Sequence, residues 1–357
     1  MELSGNKGEW SELYAFLKLL STGKLFAADE NLNCLTDTFF PILKVIREEH
    51  PNRKIEYVIH PENQNIEILL EAEPVRRYTQ KELAAYCRYI YSGILDGGNR
   101  AFSINEAEEI MNKLFCKKIA APSTDKTDIT MQIHDIHTGY NSVCGFSIKS
   151  NLGSAPTLLN ASGATNFVFE VTGLTDEQME YINNINSDTK IIDRIKAIRQ
   201  LGSVKFKYAK NKRFSGNLML VDSYMEEIIA EMLLRYYSGC SGDCKSLVTQ
   251  LEDSNPLGYP REGFYEYKFK KFLCSIALGM VPSKDWNGRD EANGGYVIVK
   301  EDGDVLAYHI YNRNAFETYL LNNTKFERGS TTRHGFASLY KEEGHMYINL
   351  NLQIRFL

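Results

Sequence analysis

Asp128, Ser147 and Lys149 are the residues whose types and spacing suggest chemistry in this chain. They lie in residues 126–150, where two short runs with apolar alternation flank Thr138-Gly139 and read as a β-hairpin. If the hairpin is symmetric about that turn, Asp128 faces Lys149 and Thr130 faces Ser147. A carboxylate opening one strand can hold a divalent metal. A lysine closing the next puts an ammonium where an attacking water or a phosphate would lie, the layout of a Mg²⁺-dependent phosphodiesterase core. The plainer alternative is a cross-strand ion pair worth roughly 0.2–1 kcal/mol.

A carboxylate followed along the chain by an acid-x-Lys strand is the degenerate signature of the PD-(D/E)xK nucleases. Here Ser147 fills the place of the second acid, so a further carboxylate must come from elsewhere. Asp135 is a rival for the first acid, but it falls at the turn end of the hairpin, near Ser142. Glu170 alternates out of a later apolar strand and is a minor candidate. The N-terminal segment is a better source. Residues 9–20 form an amphipathic helix in which Leu13, Phe16, Leu17 and Leu20 share a stripe, with Ser11, Ala15 and Lys18 opposite. Glu9 projects onto the stripe and Glu12 onto its edge. A carboxylate aimed at a core needs a partner, so either acid is expected at the site. The expected metal ligands are Asp128, the carbonyl of Ile148 and Glu12.

The elements that must position these groups follow from pattern. Residues 54–71 read as a hairpin around Pro61–Asn65. Thr79-x-x-Glu82 and Ser103-x-x-Glu106 are capping boxes opening two helices. Residues 120–126 form a loop into the catalytic hairpin, 154–161 start a short helix, and 165–171 form a buried strand. This order of helix, strand, strand, helix and strand suits an α/β core with a mixed central sheet flanked by helices. Two helices follow within 175–201 and another over 223–237. From Gly258 onward the chain is aromatic-rich and β-prone, and Asp302-Gly303-Asp304 turns a hairpin between 294–299 and 305–311. The expected division is a core over 1–215 and a helix plus β-rich region over 216–357.

Lys205, Lys207, Lys210, Lys212 and Arg213 make a basic run interleaved with Phe206 and Tyr208. Such a run suits phosphate contacts, which add salt-dependent affinity without reading sequence; it also suits a solvated edge strand protected by lysines. Arg328, Ser330, Thr331, Thr332 and Arg333 fill a Gly-bounded polar loop. Its guanidiniums could meet guanine edges and its hydroxyls could serve either groove partner.

A chain of 357 residues, 43% hydrophobic and 24% charged, is long enough for one or two well-cored domains. A net charge of −5 does not advertise a nucleic-acid binder but leaves room for a local basic patch. The sequence lacks an apolar run of membrane-spanning length and a basic-then-apolar leader, so a cytoplasmic protein without membrane partners is expected. The absence of a Gly-x4-Gly-Lys-Ser/Thr loop argues against ATP.

Several long blocks resemble a known family. Gly5-Asn6-Lys7-Gly8-Glu9-Trp10-Ser11-Glu12, Ala27–Asn33, Gly145–Ser150 with Leu152-Gly153, Thr157–Ser162 with Thr165–Phe167, and Leu350–Phe356 are similar to the HpaII family of type II restriction endonucleases. The resemblance runs from end to end. It implies a Mg²⁺-dependent enzyme that cuts both strands of duplex DNA at a short palindrome, CCGG for the member that names the family. It also implies a homodimer, since a palindrome presents two equivalent cuts. The competing expectation is a non-catalytic DNA-binding module that keeps the fold, as Ser147 in place of an acid would suggest.

Overall fold

The computed structural model describes residues 3–50, 53–121, 126–136 and 138–357. In chain order the elements begin α1 (Lys7–Thr22), β1 (Lys24–Ala28), β2 (Cys34–His50), β3 (Arg53–His60), β4 (Asn65–Leu70), β5 (Glu73–Thr79), α2 (Gln80–Asp96), α3 (Ala107–Lys113), β6 (Ile129–His134) and β7 (Asn141–Ser150). Next come β8 (Thr157–Leu159), β9 (Asn166–Thr172), α4 (Asp176–Asn183), α5 (Lys190–Leu201), β10 (Ser203–Ala209), α6 (Lys212–Val221), α7 (Met225–Tyr236), α8 (Cys244–Ser254) and α9 (Phe264–Leu278). The chain ends through β11 (Gly295–Val299), β12 (Val305–His309), α10 (Arg313–Asn322), β13 (Thr324–Phe326), α11 (Thr331–His334), β14 (Leu339–Glu342), β15 (His345–Asn351) and β16 (Ile354–Phe356).

Two compact units result, each built from separated stretches: 1–156 with 290–316, and 157–289 with 317–357. The division expected near 215 falls within α6, inside the second unit's first stretch rather than at a boundary between the units.

In the first unit the described strands form one mixed nine-stranded sheet in the order β1-β12-β11-β7-β6-β2-β3-β4-β5. β1 also pairs with β2, so six of these strands close into a ring. Within the ring, β1 runs parallel to β12 and β7 parallel to β11, while the other pairings are antiparallel. A mixed α/β architecture was expected; closure of the sheet on itself was not. It depends on β2, which pairs with β1 over Cys34–Pro41 and with β6 and β3 beyond. Pro41, which has no N–H to donate, stands where the strand changes partners.

Helix α1 opens on a capping box between Asn6 and Glu9 and ends on Gly23 at φ +64°. It is buried nearly all round, with Trp10, Leu13, Phe16, Leu17 and Leu20 in the core of the unit. Ser11 and Ala15, expected on the outer side, are buried as well. The Ser11 hydroxyl meets that of Ser150 at 2.7 Å, which ties the helix to β7.

The second unit contains a four-stranded sheet, β10-β9-β15-β14, and a three-stranded sheet, β13-β16-β8, with helices α4 to α9. Several local expectations differ here. The stretch expected to start a helix near 154–161 instead gives strand β8, and the aromatic segment expected to be β-prone becomes helix α9, with Phe269, Phe272 and Leu273 buried. In the first unit, α3 starts at Ala107 on a left-handed Glu106 with no side-chain cap, so the Ser103–Glu106 box does not form.

Candidate active site

The β6–β7 hairpin forms, but in a register two residues from the symmetric one. Ile129 pairs with Phe146 and Thr130 with Gly145, so Asp128 comes level with Ser147 rather than Lys149. The cause is the connection. Instead of a tight turn on Thr138-Gly139, a wider loop is closed by Asp135: its N–H donates to Tyr140, its carbonyl accepts from Gly139, and its side chain accepts from Thr138 at 2.6 Å. A shift of two keeps every side chain on its expected face, whereas a shift of one would have inverted the strand. Asp135 is thereby spent on the turn.

Asp128 stands just before β6. Its N–H donates to Phe146, and its Oδ2 accepts the Ile148 N–H at 2.6 Å and the Ser147 hydroxyl at 3.1 Å. Oδ1 takes no hydrogen bond among the described residues. Since the N–H and C=O of a strand residue point to the same edge, the Ile148 carbonyl also faces the place where β6 has ended. Gly145 permits this arrangement: a Cβ there would lie 2.7 Å from the Thr127 side chain, displacing the residue before Asp128.

Glu12 joins this site from α1. Its Oε2 accepts the Ala121 N–H at 2.8 Å. Burial, with the Asp128 charge adding to it, pushes its carboxyl from an ordinary 4.5 up to about 8. Asp128 is raised too, chiefly by burial, against the pull of Lys149 and of its own hydrogen bonds. Lys149 is close enough for its charge to lower both carboxyls. Among the described residues it makes no hydrogen bond or ion pair, and its ammonium lies 5.9 Å from the Tyr296 ring centroid. Two mutually repelling, half-buried carboxylates, each with an oxygen to spare, lie near a backbone carbonyl, a hard oxygen set of the kind divalent cations take; no group of three or more His, Cys, Asp or Glu side chains able to hold a metal lies among the described residues. A cleft of about 240 Å³ opens beside Asp128, lined by Arg47, Glu49, Lys118, Ala121 and Thr130.

The other expected site residues separate from this cluster. Glu9 is exposed and occupied as the cap of α1, its Oε2 accepting the Asn6 N–H at 2.7 Å, so it does not reach the site. Glu170 lies on β9, paired with Lys207 at 3.0 Å and His345 at 3.1 Å. Ser147 is 2% exposed and gives its hydroxyl to Asp128. Arg47, Glu49 and Tyr296 were not anticipated; nothing in their local sequence marks them.

The expected DNA contacts all fall in the second unit. Lys205 and Lys207 are exposed on β10, an edge strand, with Lys207 held by Glu170. Lys210 lies 5.8 Å from the Tyr340 ring centroid, and Lys212 opens α6. Arg213 is 3.6 Å from Asp285. Ser330 caps the single turn α11, accepting the Arg333 N–H at 3.3 Å; Thr331 and Thr332 begin that turn, and Arg328 donates to the Asp188 carbonyl at 3.3 Å.

Residues 6–356 match the family described as HpaII restriction endonuclease, and the chain belongs to that family of site-specific, DNA-hydrolysing type II restriction enzymes. It is 43% identical, over 99% of both chains, to the type II restriction enzyme HpaII of Haemophilus parainfluenzae. No solved structure matches it. Membership in an enzyme family favours catalysis over the non-catalytic module that Ser147 alone would have allowed. No described helix is long and apolar enough to cross a membrane.

Proposed function

We propose that this enzyme hydrolyses one phosphodiester in each strand of duplex DNA at a short palindrome, CCGG, with Mg²⁺ as cofactor. The observation that carries the reading is the meeting of Glu12, Asp128 and Lys149 at the open end of β6 in a chain of this family. On this reading the first unit is a variant PD-(D/E)xK core in which a glutamate from α1 replaces the acid that Ser147 displaces. Mg²⁺, when bound, offsets phosphate charge and acidifies a water. Asp128, Glu12 and the Ile148 carbonyl would hold it. Lys149 orients the attacking water and counters the negative charge gathering on the reacting phosphate. Ser147 and the Ile148 N–H fix the Asp128 carboxylate by holding one of its oxygens.

Target reading belongs on this account to the second unit. Lys205, Lys207, Lys210, Lys212 and Arg213 contact phosphates, and Arg328 with Ser330–Arg333 faces base edges. Two copies related by a two-fold axis cut the two strands. The test is to incubate the purified protein with plasmid DNA and Mg²⁺, beside Lys149→Ala and a Mg²⁺-free control. Discrete fragments ending at CCGG, absent from both controls, are expected. Fragments at another sequence would keep the mechanism and discard the target; cutting by Lys149→Ala would remove the site assignment.

A further inference from the structure

Arg47 and Glu49 stand next to one another on one face of β2 and are both largely buried, Glu49 to 4% exposure. A buried ion pair is a poor device for stability, because desolvating two charges consumes most of the Coulombic gain. What these two charges hold is more informative. Glu49 Oε1 accepts from Arg47 Nε at 2.7 Å. Glu49 Oε2 accepts the backbone N–H of Lys117 at 2.8 Å and of Lys118 at 3.1 Å. The Arg47 guanidinium donates through NH2 to the Lys118 carbonyl at 2.8 Å and lies 4.9 Å from the Phe16 ring centroid on α1. Apart from their mutual bond, every hydrogen bond named here for the pair goes to one short strap of main chain. Three residues later that strap presents the Ala121 N–H to Glu12 Oε2. Arg47, Glu49, Lys118 and Ala121 also wall the cleft beside Asp128.

We propose that Arg47 and Glu49 are positioning residues for the metal centre: they brace the 117–121 strap so that it orients the Glu12 carboxylate. The inference rests on the metal site proposed above and deepens it. The geometry explains why so costly a pair lies beside the site, since groups that orient metal ligands commonly set metal affinity without touching the ion.

The test reads metal binding rather than cutting. Free Mn²⁺ is measured by electron paramagnetic resonance as it is titrated into the full-length protein, and thermal unfolding is followed in parallel. Glu49→Gln is expected to weaken Mn²⁺ binding by about tenfold, and Glu12→Gln to weaken it at least as much. Glu56→Gln, which breaks the Lys44 pair on neighbouring strands, is expected to leave it unchanged. The double variant Arg47→Met/Glu49→Gln removes the buried charges together and should recover stability, yet its Mn²⁺ affinity should stay low because the strap is still unbraced. Wild-type affinity in a folded Glu49→Gln, or recovery of affinity along with stability in the double variant, overturns the brace. A wild-type protein that binds no Mn²⁺, with Glu12→Gln indistinguishable from it, overturns the metal site itself and the brace with it.

Discussion

Replacing Glu12 by Gln should make the metal-free enzyme more stable at neutral pH while costing it cleavage. The carboxyl is raised from 4.5 to about 8 in the folded chain, so folding favours its protonated form. A group raised in this way contributes its full stability below pH 4.5 and loses it as pH climbs toward 8. At pH 7 the wild-type chain has forfeited on the order of 3 kcal/mol relative to pH 4.5, taking 1.36 kcal/mol per pH unit. Gln carries no such burden, and its amide oxygen can still accept the Ala121 N–H that Glu12 accepts now. Urea unfolding in EDTA should therefore show the variant and the wild type alike near pH 4.5, with the variant stabler by about 2–3 kcal/mol at pH 7. Adding Mg²⁺ should stabilise the wild type and do little for the variant, closing the gap. Equal stability at pH 7 in EDTA, or a variant less stable there than the wild type, would refute the claim that Glu12 is held against its ionisation beside Asp128.

Lys149→Ala should abolish cleavage while duplex DNA is still retarded in a gel, since the side chain has no hydrogen bond or ion pair to lose among the described residues, only its place over the Tyr296 ring; a cutting variant would refute its role. Ser147→Ala removes one of two hydrogen bonds to Asp128 Oδ2, so single-turnover cleavage should slow by about tenfold, the equivalent of about 1.4 kcal/mol. A wild-type rate would mean the Ile148 N–H suffices. Lys212→Ala with Arg213→Ala should weaken DNA binding uniformly across sequences and flatten the plot of log affinity against log salt by up to about 2. Lys207→Ala should do less, because that ammonium is already bound to Glu170; an unchanged salt slope in the double variant would remove the phosphate contacts.

Much of the local structure was legible because it is written in short-range patterns. The hairpin of β3 and β4, the Thr79 capping box and the β11–β12 hairpin all follow from alternation and turn residues close in the chain. Residue type pointed to Asp128, Lys149 and Glu12 as candidates, and the fold brings their charges within reach of one another. Glu9 misled the reading: its helical projection outweighed the Asn6-x-x-Glu9 capping pattern that was equally visible. Partner choice was not legible. Nothing local says that β7 lies parallel to β11, that β2 carries Pro41 through a change of partners, or that Glu49 reaches Lys117. Those depend on where distant segments meet. The hairpin register failed by two because Asp135 closes a longer loop than the glycine suggested.

The ring that houses the candidate active site is completed by β11 and β12, which the ribosome makes after the whole first stretch of the second unit. Between the end of β7 at Ser150 and the start of β11 at Gly295, 144 residues must be synthesised. At roughly 5–20 residues per second, β7 waits on the order of ten seconds for its parallel neighbour. During that interval its outer edge is unpaired, Lys149 lacks Tyr296 beside it, and β1 has no β12. A chain that ends before His309 therefore lacks a strand of the ring, whereas a nick beyond His309 leaves all six ring strands in one piece.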